Sequence, residues 1–403
     1  LGPDAARLLA EARAAVSGGK RFRAAFCWWG HLAIAPAADE RALARACASL
    51  ELLHASALVH DDLMDASDTR RGRPATHRGF EAEHRAADGG RGWRGDPEQY
   101  GAAAAILLGD LLLAWADELL RTCGLPLEQV GPALEVLDRT RTEVIAGQFL
   151  DVSVQARGRA DVDAAMTVLR YKSAKYSIER PLHTGAALAG ADEATTAALR
   201  SFGLPLGEAF QLRDDLLGVF GDPAETGKPA GADLVEGKRT VLVALALDAA
   251  PDDEAARLDA ALGRPLSAAQ VDDLRGIITR SGAQQQGPGV GQHRTEVGHG
   301  AHAHEDQQRE DAGHQTHGVD QVEDAVAVVG FLRQVVELVL HRRPGAFSGF
   351  IERFSPGICI HAEHLGHAGE QILAAEVHGL ADGGFRQPGH GDVGQQTAEA
   401  DGQ

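Results

Sequence analysis

The sequence predicts an all-α fold, on three observations. Alanine and leucine dominate residues 1–283, and aromatic residues make up only 5% of the chain, a balance that favours helices over sheets. Apolar residues recur at helical spacing between short Gly/Pro interruptions. No run of alternating Val, Ile and Thr makes a convincing strand. In chain order the helical stretches are 4–16, 20–34, 38–66, 100–122, 126–155, 161–189, 192–220, 238–249 and 267–281. The segment Glu83–Gln99, with Gly89-Gly90 and Gly92-Trp93-Arg94-Gly95-Asp96-Pro97, reads as a loop.

Composition changes after Ala283. All five lysines (Lys20, Lys172, Lys175, Lys228, Lys238) precede it, whereas 12 of the 18 histidines follow it. Residues 1–283 are therefore read as one helical domain, and 284–403 as an irregular tail rich in Gly, His and Gln. Such a composition buries too little apolar surface to offset chain entropy. Only Val319–Leu340 has helical apolar spacing. The tail reads as a poorly ordered appendage or a product of a non-native frame, with a histidine-rich metal-binding segment as the alternative.

The formal net charge of −19 excludes the broad basic surface that nucleic-acid binding needs, and disfavours anionic membranes. An anionic substrate must then be held by a local cluster of Lys and Arg. Cys27, Cys47, Cys123 and Cys359 form no CxxC pair, so buried free thiols are expected. The longest apolar stretch, Ala102–Leu120, is interrupted by Asp110 and Asp117 and falls short of the ~20 apolar residues of a membrane span. With no basic-then-apolar leader, a cytoplasmic protein without an integral membrane segment is expected.

Two acidic clusters carry the chemistry. The first is Leu58-Val59-His60-Asp61-Asp62-Leu63-Met64-Asp65. Asp61 and Asp65 share a helix face, with Asp62 beside them. Carboxylates so crowded raise one another's pKa unless a hard cation neutralises them, and Mg²⁺ fits because it accepts a few carboxylates together with water and phosphate oxygens. Arg70-Arg71-Gly72 follows immediately, and guanidinium groups bind phosphate bidentately. The second cluster is Phe210-Gln211-Leu212-Arg213-Asp214-Asp215-Leu216-Leu217-Gly218. There Gln211, Asp214, Asp215 and Gly218 share one face. Thr226-Gly227-Lys228 and Gly237-Lys238-Arg239-Thr240 beyond it supply two lysines. Near the start, Gly18-Gly19-Lys20-Arg21-Phe22-Arg23 opens a helix, a favourable place for an anion, and His54 lies two turns before Asp61.

In this order and spacing the motifs resemble those of the isoprenyl diphosphate synthases, or polyprenyl synthetases, over residues 8–280. Gly147-Gln148-Phe149-Leu150-Asp151 and Lys172-Ser173-Ala174-Lys175-Tyr176 also look like that family. The resemblance implies a bundle of long antiparallel helices around a deep cavity, and a homodimer. It implies Mg²⁺ held by Asp61, Asp65 and Asp214, with Asp62 and Asp215 in support. Arg70, Lys175, Lys228 and Lys238 would hold an allylic diphosphate. Lys20, Arg23, His54 and Arg71 would hold isopentenyl diphosphate. Gln148, Gln211 and Tyr176 would line the reacting region. The family normally closes its bundle with further helices after residue 280, where this chain has its tail.

The implied reaction is head-to-tail condensation by ionisation, addition and proton loss. Small residues at Ser56 and Ala57, four or five before Asp61, leave room for a product longer than C15, most simply geranylgeranyl diphosphate, with Leu53 as the floor. A class I terpene cyclase also uses aspartate-rich helices and Mg²⁺, but would leave the Lys20–Arg23 cluster and Arg71 unexplained. A non-catalytic regulatory subunit would be expected to have lost its acidic motifs.

Overall fold

A computed structural model describes residues 2–87, 92–158, 161–222 and 231–286. Cys359, the Val319–Leu340 helix and nearly all of the tail lie outside these residues, as does Lys228. The described chain is helical, as expected. Its elements are α1 (Pro3–Val16), α2 (Phe22–Leu32), α3 (Glu40–Met64), α4 (Thr76–Ala86), α5 (Pro97–Arg121) and α6 (Leu127–Arg157). There follow α7 (Val162–Val168), a π-helical segment (Leu169–Glu179), α8 (Arg180–Leu188) and α9 (Glu193–Phe220). The last are α10 (Ala232–Glu236), α11 (Val241–Ala249), α12 (Asp252–Ala261), α13 (Ala268–Arg280) and α14 (Ala283–Gln286).

Several starts are set by side-chain caps. Asp39, Asp161, Asp192 and Thr240 each accept a hydrogen bond from a backbone amide of the first turn they precede. Ser267 and Gln270 form a reciprocal capping box at α13. These caps explain why α11 begins at Val241 rather than at 238.

Two helices escape the apolar pattern. The buried face of α4 consists of Thr76, His77, Phe80, Glu81 and His84, so counting aliphatic residues misses it. Helix α12 buries only Leu258 and is favoured by Asp252, Asp253 and Glu254 in its first turn. The stretch 161–189 is not one α-helix but α7, the π-helical segment and α8 in succession. One small strand pair was also unforeseen: Thr69–Arg70 pairs antiparallel with Arg73–Pro74. Its two-residue turn, Arg71-Gly72, has both φ angles positive (52° and 73°), the geometry that suits a tight hairpin.

Helix α3 is central. It packs against α5, and α2 lies along α8, while α6 and α9 flank the π-helical segment. The main core joins α3, α5 and α6 through Leu50, Leu52, Leu108, Leu112 and Leu137. A second core joins α9, α11 and α13 through Val219, Leu242, Val243 and Ile277. Among the described residues α3 alone is long and apolar enough to cross a membrane, and 72% of its apolar stretch is buried inside the fold. Cys27, Cys47 and Cys123 are buried free thiols, as expected.

At the crossing of α2 and α8 the backbones touch. A Cβ on Gly30 would overlap the Leu182 carbonyl, and one on Gly185 would overlap that of Cys27. Gly131 in α6 has open space around it. The Gly185→Ala variant is therefore expected to lose about 2 kcal/mol through forced separation of the two helices. Gly131→Ala is expected to gain roughly 0.5–1 kcal/mol from helix propensity alone. Urea denaturation of the two variants beside the parent chain checks both signs.

Candidate active site

The last turns of α3 and α9 bring both acidic clusters to one cavity of about 710 Å³. Asp61 and Asp65 line it from α3, and Asp214 and Asp215 from α9. Asp65 ends its helix as the C-cap, its amide donating to the Asp61 carbonyl at 2.8 Å.

The carboxylates differ sharply in their surroundings. Burial alone would raise the Asp61 pKa, but Lys172, Lys238 and Arg70 outweigh it and hold the group below the usual carboxylate range. Lys172 Nζ stands 3.2 Å from Asp61 Oδ1, to which Gln148 Nε2 also donates at 2.9 Å. Asp65 is less compensated. Burial and then repulsion from Asp61 push it up to about 6, although Lys238 lies 3.7 Å away. Asp215 is buried and pushed up to about 8, and Asp233 and Asp214 add repulsion. Gln211 donates to Asp215 at 2.9 Å, and to Asp214 at 3.4 Å.

Asp62 departs from expectation. Its side chain is buried away from the cavity and clamped by Arg70, whose Nε donates to both oxygens at 2.9 and 3.1 Å. It orients an arginine that does line the cavity, while Asp62 itself does not.

Lys175 is a correction. Its Nζ donates to Glu143 at 3.1 Å, and the residue does not line the cavity. Lys172 takes that place, sandwiched between Asp61 and Asp151, the latter accepting from it at 2.5 Å. The cause is the π-helical segment. In an α-helix, 172, 175 and 176 would share a face. The wider π turn keeps Tyr176 with Lys172 and swings Lys175 toward α6.

Basic residues line the same cavity. They are Lys20, Arg21, Arg23, Arg70 and Arg71, with the acidic Glu51 among them. Arg21 reaches Glu51 at 3.3 Å. Arg23 donates to Ser177 Oγ at 2.7 Å and stacks 4.1 Å over the Tyr176 ring. His54 Nδ1 is 2.8 Å from the Tyr176 hydroxyl. Burial, then Arg23 and Arg71, hold the His54 pKa well below its usual range, so the ring is neutral. Burial pushes the Tyr176 hydroxyl up to about 12, so it keeps its proton. Three non-glycine residues with left-handed backbone, Arg21, Ala66 and Arg71, flank this cavity. Backbone strain of about 1 kcal/mol or more each is thus concentrated at the site.

Of the expected chain-length positions, Ala57 lines the cavity, but Ser56 and Leu53 do not. Both are buried elsewhere, Leu53 within the main core, because the cavity face of α3 runs through His54, Ala57, Leu58 and Asp61. Besides Lys172, the acidic residues Glu51, Asp151, Asp233 and Glu236 line the site and were given no role from the sequence. Asp233 fills the space in front of Gly218, where any Cβ would overlap its carboxylate. Glu236 forms an ion pair with Lys238 at 2.7 Å. Local signals existed for Asp151, in the Gly147–Asp151 motif, and for Lys172, in the Lys172–Tyr176 motif.

Among the described residues no three Asp, Glu, His or Cys side chains converge into a ready-made metal cage. The hard oxygen donors of Asp61, Asp65 and Asp214, two of them on one helix end, suit a cation that also takes ligands from a phosphate. The raised Asp65 pKa marks carboxylate charge that neighbouring lysines do not fully balance.

Fold and site together define the class: an all-helical prenyltransferase scaffold. The polyprenyl synthetase family model matches residues 6–278, and the chain belongs to that family. It is 37% identical over 262 residues to the geranylgeranyl diphosphate synthase of Mycobacterium tuberculosis, covering 65% of this chain and 67% of that protein. It is 36% identical over 217 residues to the geranylfarnesyl diphosphate synthase of Natronomonas pharaonis, covering 54% of this chain and 57% of that one. Among solved structures, a geranylgeranyl pyrophosphate synthase of Corynebacterium glutamicum, complexed with isoprenyl diphosphate and magnesium, superimposes with a TM-score of 0.73 at 38% identity. That match covers 85% of this chain and 92% of the other.

The raised carboxyl pKa values carry a sign. Burial pushes Asp65 up to about 6 and Asp215 up to about 8 when folded, against ~3.9 in an unfolded chain. Between these values the folded state binds more protons at these two groups, so their contribution to stability is fully present below pH ~4 and is lost as pH rises toward 8. Buried His54 and His183, held below their usual range, act with the opposite sign, so the test is a difference. The thermal unfolding midpoint of Asp215→Asn relative to the parent, both metal-free, is expected to rise from pH 5 to 8, and a difference that is flat or falls over that window contradicts the assignment.

Proposed function

We propose that the protein condenses isopentenyl diphosphate head to tail with an allylic diphosphate, in a Mg²⁺-dependent reaction whose main product is geranylgeranyl diphosphate. The observation that carries this reading is one cavity lined both by acidic residues of α3 and α9 and by a basic cluster, Lys20, Arg23 and Arg71. A terpene cyclase takes a single diphosphate and has no use for the second set.

The roles follow from position. Asp61, Asp65 and Asp214 would hold Mg²⁺, with Asp215 behind them. Bound there, Mg²⁺ would supply charge neutralisation for a departing diphosphate. Lys172, Lys238 and Arg70 face the same space and would grip the allylic diphosphate, with Lys228 as a further candidate from the sequence. Their cations favour charge development on the leaving group over the ground state. Lys20, Arg23 and Arg71, with neutral His54 as a donor, would bind isopentenyl diphosphate and aim its double bond at the allylic carbon. Gln148 and Gln211 orient Asp61 and Asp215 through the hydrogen bonds above. Tyr176, protonated and stacked beneath Arg23, keeps water and stray base away from the reacting carbons. No strong general base of the protein is needed, since the diphosphate released can accept the proton.

Chain length is read from the helix. One turn of α3 advances ~5.4 Å, about one isoprene unit, and Ala57 one turn below Asp61 is small and faces the cavity. This supports a product longer than C15. Exposed Ile106 and Leu107 on α5 and Ile145 and Phe149 on α6 support a homodimer. The three free thiols fit a reducing, cytoplasmic setting.

The direct test is incubation with isopentenyl diphosphate and each allylic primer in turn, with product chromatography. Chain elongation only when isopentenyl diphosphate is present is expected, and its loss on chelation of divalent cations. Cyclised hydrocarbon formed from the primer alone would sink the reading. Ala57→Phe is expected to shift the product toward C15, and an unchanged distribution removes Ala57 from chain-length control.

A further inference from the structure

The π-helical segment is gripped from two sides in a way the condensation does not by itself require. On α6, Glu143, Gly147 and Asp151 are spaced by four and form one stripe facing it. Glu143 accepts from Lys175 Nζ at 3.1 Å and, with both oxygens, from Arg180 Nη2 and Nε at 2.7 Å each. Gly147 lets the Lys172 backbone lie directly on α6, for a Cβ there would overlap Lys172 N. Asp151 takes the Lys172 ammonium. On α9, Gly203 and Gly207 admit the backbone of Glu179 and Ala174, and Glu208 pairs with Arg170.

We propose that Glu143 is a positioning residue for the allylic-diphosphate site: by taking Lys175 and Arg180, it holds residues 169–179 in the π-helical register that aims Lys172 at Asp61. The inference rests on the role given above to Lys172. The logic is geometric. An α-helical register would place Lys175 on the cavity face beside Lys172 and carry Lys172 off its present line between Asp61 and Asp151. Lys175 is drawn out of that face only because a carboxylate waits on α6. The same carboxylate fixes Arg180 at the first residue of α8, where the α-helical register resumes. Buried Glu179 lies near the same two cations, 3.3 Å from Arg180 and 4.0 Å from Lys175, but neither of its oxygens accepts a hydrogen bond and it belongs to the segment itself, so it cannot tie that segment to α6 as Glu143 does. Glu143 lies outside the cavity lining and touches no substrate position.

The test is a double-mutant cycle on the full chain, read as affinity for inorganic pyrophosphate in Mg²⁺ by titration calorimetry. Glu143→Ala is expected to weaken binding about tenfold in the parent chain, but less than about twofold in a Lys172→Met background. An equal loss in both backgrounds, or no loss in the parent, overturns the proposal. Should Glu143→Ala not fold, Glu143→Gln keeps the shape, removes the charge and is carried through the same cycle with the same expectation. In steady state the variant should raise KM for the allylic primer while leaving KM for isopentenyl diphosphate within about twofold, a split that a general loss of structure does not produce. Binding and turnover separate the two readings. A non-additive cycle in a chain that elongates no primer supports the clamp and removes the condensation, whereas failure of the parent to bind pyrophosphate removes both.

Discussion

The structure depends on keeping like charges together. Asp61, Asp65, Asp214, Asp215 and Asp233 meet at one cavity, where burial pushes Asp65 up to about 6 and Asp215 up to about 8. Lys172 and Lys238 are the counter-charges that make this tolerable. Each spans two or more carboxylates, and Lys238, from the loop before α11, ties the end of α3 to α10. The compensation is incomplete: burial first, and then mutual repulsion, still raises Asp65 and Asp215.

Against a formal net charge of −19, the basic cluster in the cavity is a local inversion. Apart from Arg23 in the first turn of α2, it is built from short, strained pieces rather than from a helix face. Arg21 and Arg71 both occupy the left-handed region, and Gly18, Gly19 and Gly72 beside them do so without a steric cost. The result brings two guanidinium groups to a place where α2 and α3 alone would not put them. A basic recess in a chain of net negative charge suits a small anion.

The π-helical segment explains the one misassigned lysine. A lysine pair spaced by three looks equivalent on an α-helix, and propensity offers no reason to choose between Lys172 and Lys175. The choice is made by α6 and α9, whose glycines let the segment approach and whose acids pull Lys175 and Arg170 to opposite sides. A similar argument separates Ala57 from Ser56. Adjacent small residues on α3 differ only in which neighbour their face meets.

Much of the site was legible before the fold was known. The spacing of Asp61 and Asp65, of Gln211 and Asp214, and the basic cluster at Lys20–Arg23 are local patterns, because a helix turns four-residue spacing into proximity by itself. The all-α class follows in the same way from alanine, leucine and period. What the chain could not declare locally is where those helices meet: that Asp62 turns inward to Arg70, that Asp233 occupies the space left by Gly218, and that α4 buries polar side chains. Those outcomes depend on contacts between residues far apart in sequence, and only packing of the helices against one another selects among the faces that local periodicity leaves equal.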